Sequence, residues 1–220
     1  QIGNRMNMVE VQGSHIRAGA GATLNTVAKR AQEKGLAGFE FASGIPGTLG
    51  GAIVMNAGAY DGEMKQVTEQ VTVMNEEGEI LEIDGESMEF GYRTSVIKNR
   101  AFIVLEAVLN LTKGDKGEIL AKMEELAQRR KEKQPLEFAS AGSTFKRPEG
   151  HFAGKLIMDA GLCGYTVGEA MVSEKHCGFI VNTSKASPSD VVAVIREVQR
   201  WVKEQYGVTL ETEVVFLGDF

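Results

Sequence analysis

Residues 42–62, ASGIPGTLGGAIVMNAGAYDG, are the stretch around which the rest of the chain is organised. Five glycines and one proline precede Tyr60, and the first charged residue is Asp61. Glycine permits positive φ and a close approach of backbone to another group, and it weakens regular helices and strands. The pattern therefore predicts either backbone laid against a flat or phosphate-bearing ligand or a tightly packed turn between core elements. The stretch alone does not decide between them.

The bulk composition narrows the class of protein. The 220 residues suffice for one sizeable domain or two small ones, and the formal charge of −6 argues against nucleic-acid binding. No apolar run has the length of a membrane span and no signal peptide is visible, so we expect a cytoplasmic protein without a membrane partner. Cys163 and Cys177 lack the spacing of zinc ligands, so no metal is expected; they are compatible with a reducing compartment or with one disulfide.

The first half of the chain is rich in predicted strands. Thr23 is placed to cap a helix that ends before Gly35, and a short buried helix is predicted at 49–56. Strands are predicted at 6–11, 15–20, 66–74, 79–83 and 102–111, the third and fourth forming a hairpin.

The second half has a different composition, with longer helices. Helices are predicted at 117–133, at 152–160 and from the Ser187-Pro188 cap to Tyr206, and strands at 166–172, 178–182 and 214–217. The chain is therefore interpreted as α+β, with one domain at 1–112 and a second at 113–220.

Two loops carry polar groups suited to binding or catalysis. Arg93 lies in GYRTS, next to a tyrosine and two hydroxyls, and its planar fork of donors suits a carboxylate or phosphate. Ser143 lies in the small-residue segment 140–146, predicted to be a loop. The glycine pattern of a nucleophile elbow is absent around it, so a serine that acts through its proton is the better interpretation.

Cations are concentrated at the end of the helix predicted at 117–133. Interaction with the helix dipole is the default explanation for Arg129, Arg130, Lys131 and Lys133. The cluster leads into the Ser143 segment, where Lys146 and Arg147 follow, which instead favours an anionic ligand such as a diphosphate. Glu213 enters an apolar final segment, where a solvated strand edge is the usual interpretation.

Six stretches together resemble the UDP-N-acetylenolpyruvoylglucosamine reductase (MurB) family, in its shorter form. They occur in the family's order and cover nearly the whole chain: ASGIPGTLGGAIVMNAGAY, FGYRTS, RRKEKQPLEFASAGSTFKRP, FAGKLIMDAGLCGY, VSEKHCGFIVN and LETEVVFLG. The resemblance implies the C-terminal part of a PCMH/vanillyl-alcohol-oxidase-type FAD-binding domain, followed by a MurB-type α+β substrate-binding domain. It also implies that NADPH reduces FAD and that the reduced flavin passes hydride to UDP-N-acetylglucosamine enolpyruvate.

The resemblance assigns roles by position. Arg93 and Glu213 would polarise the enolpyruvyl group, and Ser143 would donate the proton. FAD would lie against the glycine-rich stretch and near residue 103, at Ser43, Gly44, Ile45, Pro46, Gly47, Thr48, Gly50, Gly51, Gly58 and Ile103. The UDP-sugar would be held by Tyr92, Arg129, Lys133, Arg147 and Lys175.

This sequence departs from the family pattern at its start. It begins at Gln1 without an initiator methionine and without the glycine- and asparagine-containing loop that cradles the FAD diphosphate, so weak FAD binding or none is expected. Two alternatives follow: another FAD oxidoreductase with the same flavin domain, or a non-catalytic UDP-sugar-binding module.

Overall fold

The computed structural model describes residues 2–218, apart from the side chain of Asn4. Its contacts divide the chain into two compact units, one ending at Arg130 and the other beginning at Lys131. This division falls inside a helix. The boundary expected near Thr112 separates an FAD-binding from a substrate-binding domain. The division into compact units does not test it, so it stays a prediction.

A five-stranded antiparallel sheet is the centre of the first unit, with strand order β1-β2-β8-β6-β7. Two small two-stranded pairs, β3 with β9 and β4 with β5, lie outside it. The helices are α1 (Leu24–Glu33), α2 (Leu49–Met55), α3 (Val96–Asn99) and α4 (Lys116–Lys133). The strands are β1 (Val9–Gln12), β2 (His15–Gly19), β3 (Leu36–Ala37), β4 (Gly58–Ala59), β5 (Gly62–Glu63), β6 (Thr68–Met74), β7 (Ile80–Asp84), β8 (Ile103–Asn110) and β9 (Thr112–Lys113).

Local signals account for most of these elements. The Thr23 side chain accepts from the backbone N–H of Thr26, which caps α1, and Gly35 follows the helix at φ 67°. Alternate residues of β6, among them Val71 and Val73, are fully buried in a core with α1 and α2.

The first strand is shorter than predicted. Residues Asn4–Met6 form a 3₁₀ turn, and β1 begins only at Val9. The Met6 carbonyl accepts from the N–H of Gly21 at 2.8 Å, so it is occupied away from the β1–β2 ladder.

The second unit is a four-stranded antiparallel sheet of order β10-β13-β12-β11 with two helices. Ser187 and Asp190 form a capping box at the start of α6, and Pro188 is its first residue, as the sequence predicted. The elements are β10 (Ala139–Ser143), α5 (Ala153–Asp159), β11 (Thr166–Val167), β12 (Ala170–Val172), β13 (Phe179–Asn182) and α6 (Pro188–Tyr206).

Three predictions for this unit are wrong. The strand expected at 166–172 is a hairpin, because Gly168 takes φ 55° and turns the chain back. The small-residue loop before Lys146 is strand β10 up to Ser143, paired with β13 through an irregular register. The final strand expected at 214–217 does not form, and Val215 and Leu217 are 80% and 85% exposed. Because these side chains are not covered by other apolar groups, pairing this segment as a strand would bury none of its alternating apolar residues.

Cys163 and Cys177 form a disulfide, with the Cα atoms 5.5 Å apart. Of the two alternatives left open by the sequence, reduced cysteines or one disulfide, the structure has the disulfide. Among residues 2–218, no helix combines the length and apolar character that crossing a bilayer requires.

Candidate functional site

The glycine-rich stretch forms a turn anchored to the start of α1. Leu24 donates its backbone N–H to the Gly47 carbonyl at 3.1 Å, and Leu49 donates to the Ala22 carbonyl at 2.8 Å. The turn leads into α2, whose buried face includes Leu49 and Ile53. Its position is therefore set by backbone hydrogen bonds as well as by the core.

Several glycines of the stretch are required by internal packing. A Cβ at Gly50 would lie 2.8 Å from the Cβ of Ala20, and one at Gly58 would lie 2.7 Å from the Gly62 carbonyl oxygen. At Gly62 itself, a Cβ would lie 2.5 Å from the Phe41 ring. For these positions the packed-turn interpretation is correct.

One edge of the turn is open. Pro46, Gly47 and Gly51 are exposed, and among residues 2–218 a Cβ at Gly47 would meet no atom within 4 Å beyond its chain neighbours. A Cβ at Gly51 would make an ordinary contact, 3.8 Å from the Thr48 hydroxyl oxygen. Gly47 also has φ 153°, a conformation that side chains disfavour. This edge leaves bare backbone available to a ligand.

Arg130 lies against the same turn; the sequence placed it in the cation cluster but not among the residues assigned to cofactor or substrate. Its side chain packs on Gly44, and its Cζ lies 5.5 Å from the centre of the Tyr60 ring. Only 8% of the residue is exposed. A signal was present in the sequence: Ile119, Met123, Leu126 and Arg130 recur at helical spacing, so the arginine falls on the apolar stripe of α4.

Arg93 is brought to the glycine-rich stretch. The segment Gly91–Thr94 closes on itself through two backbone hydrogen bonds, and Arg93 takes φ 56° within it. Its Nη2 donates to the Gly58 carbonyl at 3.5 Å, and its Cζ lies 5.1 Å from the ring centre of the exposed Tyr92. A non-glycine residue in this left-handed region is uncommon and is often associated with a binding or active site.

Asn56 and Ser95 hold this segment in place, and neither was identified from the sequence. The buried Asn56 amide donates to the Gly91 carbonyl and to the Glu63 carboxylate, both at 3.1 Å. The Ser95 hydroxyl donates to the Val54 carbonyl at 2.9 Å. Two side chains thus couple the Arg93 segment to α2 and its C-terminal end.

In the second unit, Ser143 and Glu213 are brought close along the backbone. Ser143 is exposed at the end of β10, opposite Phe179. The next residue, Thr144, accepts at its carbonyl from the Glu213 N–H at 2.8 Å. The chain near the C-terminus therefore runs beside the Ser143 segment.

The remaining predicted residues differ in their surroundings. Arg129 pairs with Glu125 on α4, and Lys133 is exposed at the end of that helix. Arg147 stacks on Phe152, its Cζ 4.0 Å from the ring centre. Lys175 donates to the Lys131 carbonyl at 2.8 Å and lies 3.6 Å from the Glu137 carboxylate. Ile103, at the start of β8 opposite Met74, is 44% exposed.

Comparison with known proteins gives consistent matches. Residues 2–84 match a family described as an FAD binding domain, and residues 134–217 match the C-terminal domain of UDP-N-acetylenolpyruvoylglucosamine reductase. A reductase of that name from Lachnoclostridium phytofermentans is 55% identical over 94% of this chain and 67% of the relative. One from Clostridioides difficile is 51% identical over 100% of this chain and 72% of the relative.

A solved structure agrees with the sequence matches. The crystal structure of MurB from Thermus caldophilus superposes with a TM-score of 0.83 at 37% identity, covering 95% of this chain and 74% of that one. The fold and the matched domains define an FAD-dependent oxidoreductase of α+β architecture. The chain belongs to the UDP-N-acetylenolpyruvoylglucosamine reductase family. It spans between 65% and 72% of the length of its first relatives.

FAD is the cofactor of this class of oxidoreductase. The glycine-rich turn fits FAD in one respect, which is that part of its backbone is open to a ligand. The open edge at Gly47 and Gly51 exposes backbone that a flat or phosphate-bearing group can approach. At Gly50 and Gly58, packing already requires that the residue have no side chain. The residues present therefore fit such a cofactor along the edge from Pro46 to Gly51.

Proposed function

We propose that the chain carries the NADPH-dependent reduction of UDP-N-acetylglucosamine enolpyruvate to UDP-N-acetylmuramate, a step in making peptidoglycan precursors in the bacterial cytoplasm. The observation that carries the proposal is the Arg93–Gly58 contact at 3.5 Å. It puts a guanidinium on the stretch against which the cofactor is proposed to lie, at Ser43 to Gly51, Gly58 and Ile103.

Arg93 stabilises charge that develops on the substrate. FAD, once bound and reduced, supplies the hydride. The carbon that bears the substrate carboxylate then gains negative charge, and a fixed guanidinium stabilises this charge without reorganising. The backbone of Arg93 is in the left-handed region, and the Asn56 side chain holds this segment by a hydrogen bond to the Gly91 carbonyl. The point from which the Arg93 side chain extends is therefore fixed.

Ser143 supplies the proton. A hydroxyl is a weak acid at rest, but it can protonate a strongly basic carbanion-like centre when its position is fixed. Ser143 ends a strand, and the Thr144–Glu213 hydrogen bond holds the residue that follows it. Glu213 is assigned to the enolpyruvyl group together with Arg93.

The UDP-sugar is assigned to the exposed cations and one tyrosine. Arginine and lysine bind phosphate oxygens, and an exposed aromatic ring offers a stacking surface. Lys175 is presented rigidly because its ammonium already donates to the Lys131 carbonyl. The set comprises Tyr92, Arg129, Lys133, Arg147 and Lys175.

The test is the absorption spectrum of the purified chain after incubation with FAD. We expect a flavin spectrum that bleaches with NADPH and recovers when the enolpyruvyl nucleotide is added. An alcohol or lactone that bleaches the flavin in place of NADPH, with no recovery when that nucleotide is added, would indicate a different oxidoreductase. A colourless chain that still binds UDP-N-acetylglucosamine would overturn catalysis and support a UDP-sugar-binding module.

A further inference from the structure

We propose that the Cys163–Cys177 disulfide is a site of reversible thiol–disulfide exchange with a dithiol reductant, and that the bond controls the order of the turn that carries Lys175. This turn, residues 173–178, joins β12 to β13 and is called the Lys175 turn. The inference rests on the proposed function, because Lys175 is assigned there to the UDP-sugar. It adds a redox dependence that this assignment does not contain.

The two cysteines differ in exposure. Cys163 is exposed on the connection between α5 and β11, whereas Cys177 is only 7% exposed and packs in the core of the second unit. Exchange begins with attack on a disulfide sulfur, and its rate depends on access to that sulfur. Disulfides in a cytoplasm, the compartment proposed above, are usually transient and either catalytic or redox-sensing. Cys163 is therefore the side of the bond that a reductant can reach.

The exchange is complete with a dithiol as the reductant. A thiolate of the dithiol attacks Sγ of Cys163 and forms a mixed disulfide, while the bond to Cys177 breaks and Cys177 leaves as a thiolate that takes up a proton. The second thiolate of the reductant then attacks the reductant sulfur of the mixed disulfide and releases the Cys163 thiolate, which is protonated in turn. Two electrons and two protons thus pass from the dithiol to the protein disulfide.

The Lys175 turn is closed by its own hydrogen bonds and is attached to both ends of α5. The hydroxyl of the buried Ser173 accepts from the N–H groups of Lys175 and His176 at 3.2 and 3.3 Å. A Cβ on Gly154, near the start of α5, would lie 3.2 Å from the Gly178 nitrogen, so the turn rests on that end of the helix. The disulfide ties the turn to the chain that follows the other end of α5. Reduction therefore removes a covalent attachment and leaves the hydrogen bonds within the turn.

Two parts of the proposed site lie next to this attachment. Lys175 is exposed in the turn, two residues before Cys177. Gly178, the residue after Cys177, accepts at its carbonyl from the Thr144 N–H at 2.9 Å, directly after the proposed proton donor Ser143. A crosslink restricts the chain on both sides of it, so breaking the bond increases the conformational freedom of both parts. A ligand that binds there must then order them, which lowers its affinity.

The first test asks whether the folded chain exchanges. Dithiothreitol is added in buffer without denaturant, and free thiols, circular dichroism and the thermal midpoint are then measured. We expect two thiols to appear at a temperature at which the reduced chain is still folded. A bond that is reduced only in urea, or a reduced chain that unfolds at the assay temperature, would be purely structural and would overturn the proposal.

Backbone hydrogen exchange measures the order of the Lys175 turn without any nucleotide. On reduction, the amides of Lys175, His176 and Thr144 should lose protection, whereas those of β6 in the first unit should keep it. The Cys163→Ser, Cys177→Ser double variant should resemble the reduced chain and should not respond to dithiothreitol. Unchanged protection of the turn on reduction would overturn the proposal.

The dissociation constant of UDP-N-acetylglucosamine, measured by calorimetry, links the turn to the site. We expect reduction to weaken binding by about 2- to 10-fold, the effect of having to order one flexible side chain. This redox dependence should largely disappear in Lys175→Ala. It should remain in Lys185→Ala, which removes an exposed lysine from the same unit.

Two further outcomes are decisive. Equal affinity of the oxidised and reduced wild-type chain for UDP-N-acetylglucosamine would overturn the proposal. Failure to bind this nucleotide in either redox state, together with a turn that loses protection on reduction, would contradict only the proposed function.

Discussion

The backbone N–H of Glu213 donates to the carbonyl oxygen of Thr144 at 2.8 Å. Thr144 is itself buried, and its hydroxyl accepts from the Ile180 N–H at 3.2 Å, so the segment after Ser143 is held on two sides. A reacting hydroxyl needs such support, because a small displacement of a catalytic group can cost a large factor in rate.

Ser143→Ala should leave the reduction of bound flavin by NADPH nearly unchanged. Reoxidation by the enolpyruvyl nucleotide should slow by about 10²- to 10⁴-fold, the usual contribution of a positioned general acid. Stopped-flow absorbance separates the two half-reactions. Ser140→Ala, on the same strand, is the matched control and should behave as wild type. Equal reoxidation rates in both variants would contradict the role of Ser143.

Arg93→Lys keeps a positive charge but loses the planar fork of donors. We expect reoxidation by substrate to slow by about 10²- to 10³-fold, in the range seen when one charge-stabilising donor is removed. Arg100→Lys, at the exposed end of α3, provides the control. A fall in substrate affinity with an unchanged rate at saturation would show that Arg93 only binds substrate.

Gly51→Ala tests the open edge of the turn. Gly51 lies inside α2, where alanine is favoured over glycine by about 0.5–1 kcal/mol, and the added Cβ makes only an ordinary contact at 3.8 Å. The ligand-free protein should therefore melt higher. If the cofactor lies against this edge, FAD affinity should fall at the same time. A higher midpoint with unchanged FAD affinity would remove Gly51 from the proposed cofactor contacts.

The Cys163–Cys177 disulfide closes a loop with a sequence separation of 14. Chain-entropy arguments give about 3 kcal/mol for a loop of this size. Reductant should therefore lower the free energy of unfolding by an amount of that order, as measured by denaturant titration. The Cys163→Ser, Cys177→Ser double variant should not respond to reductant. Two reactive thiols in the untreated native protein would contradict the bond.

His176 should make stability depend on pH. Burial lowers the pKa of its imidazole, while Nδ1 accepts from the Gly178 N–H at 3.1 Å, which requires the neutral imidazole with its proton on Nε2. The unfolded chain therefore binds the proton more readily. The contribution of His176 to the free energy of unfolding is fully present above the ordinary histidine pKa of about 6.5 and decreases as the pH drops below it.

The slope from this one group is at most about 1.4 kcal/mol per pH unit. Urea titrations between pH 5 and pH 7 should show a shallower dependence for His176→Gln than for wild type. His151→Gln removes an exposed histidine and should keep the wild-type slope. A slope unaffected by His176→Gln would exclude this residue as the cause.

Local sequence patterns predicted the elements whose signals are self-contained. The cap at Thr23 and the Ser187-Pro188 start of α6 depend on residues within one helical turn, and both helices form where predicted. The hairpin of β6 and β7 was likewise encoded by alternation around Asn75 and Gly78. The strand expected at 214–217 failed because alternation implies a strand only where a partner covers its apolar face.

The sequence by itself determined the family of this protein, through six ordered motifs, and it determined which residues carry groups suited to an anionic substrate and a flat cofactor. Only the tertiary structure decided which glycines serve packing and which leave backbone open, since that depends on what stands opposite each Cα. It also revealed Arg130. A helical arginine appears as one cation among several in the sequence, whereas its burial against Gly44 exists only after the chain has folded.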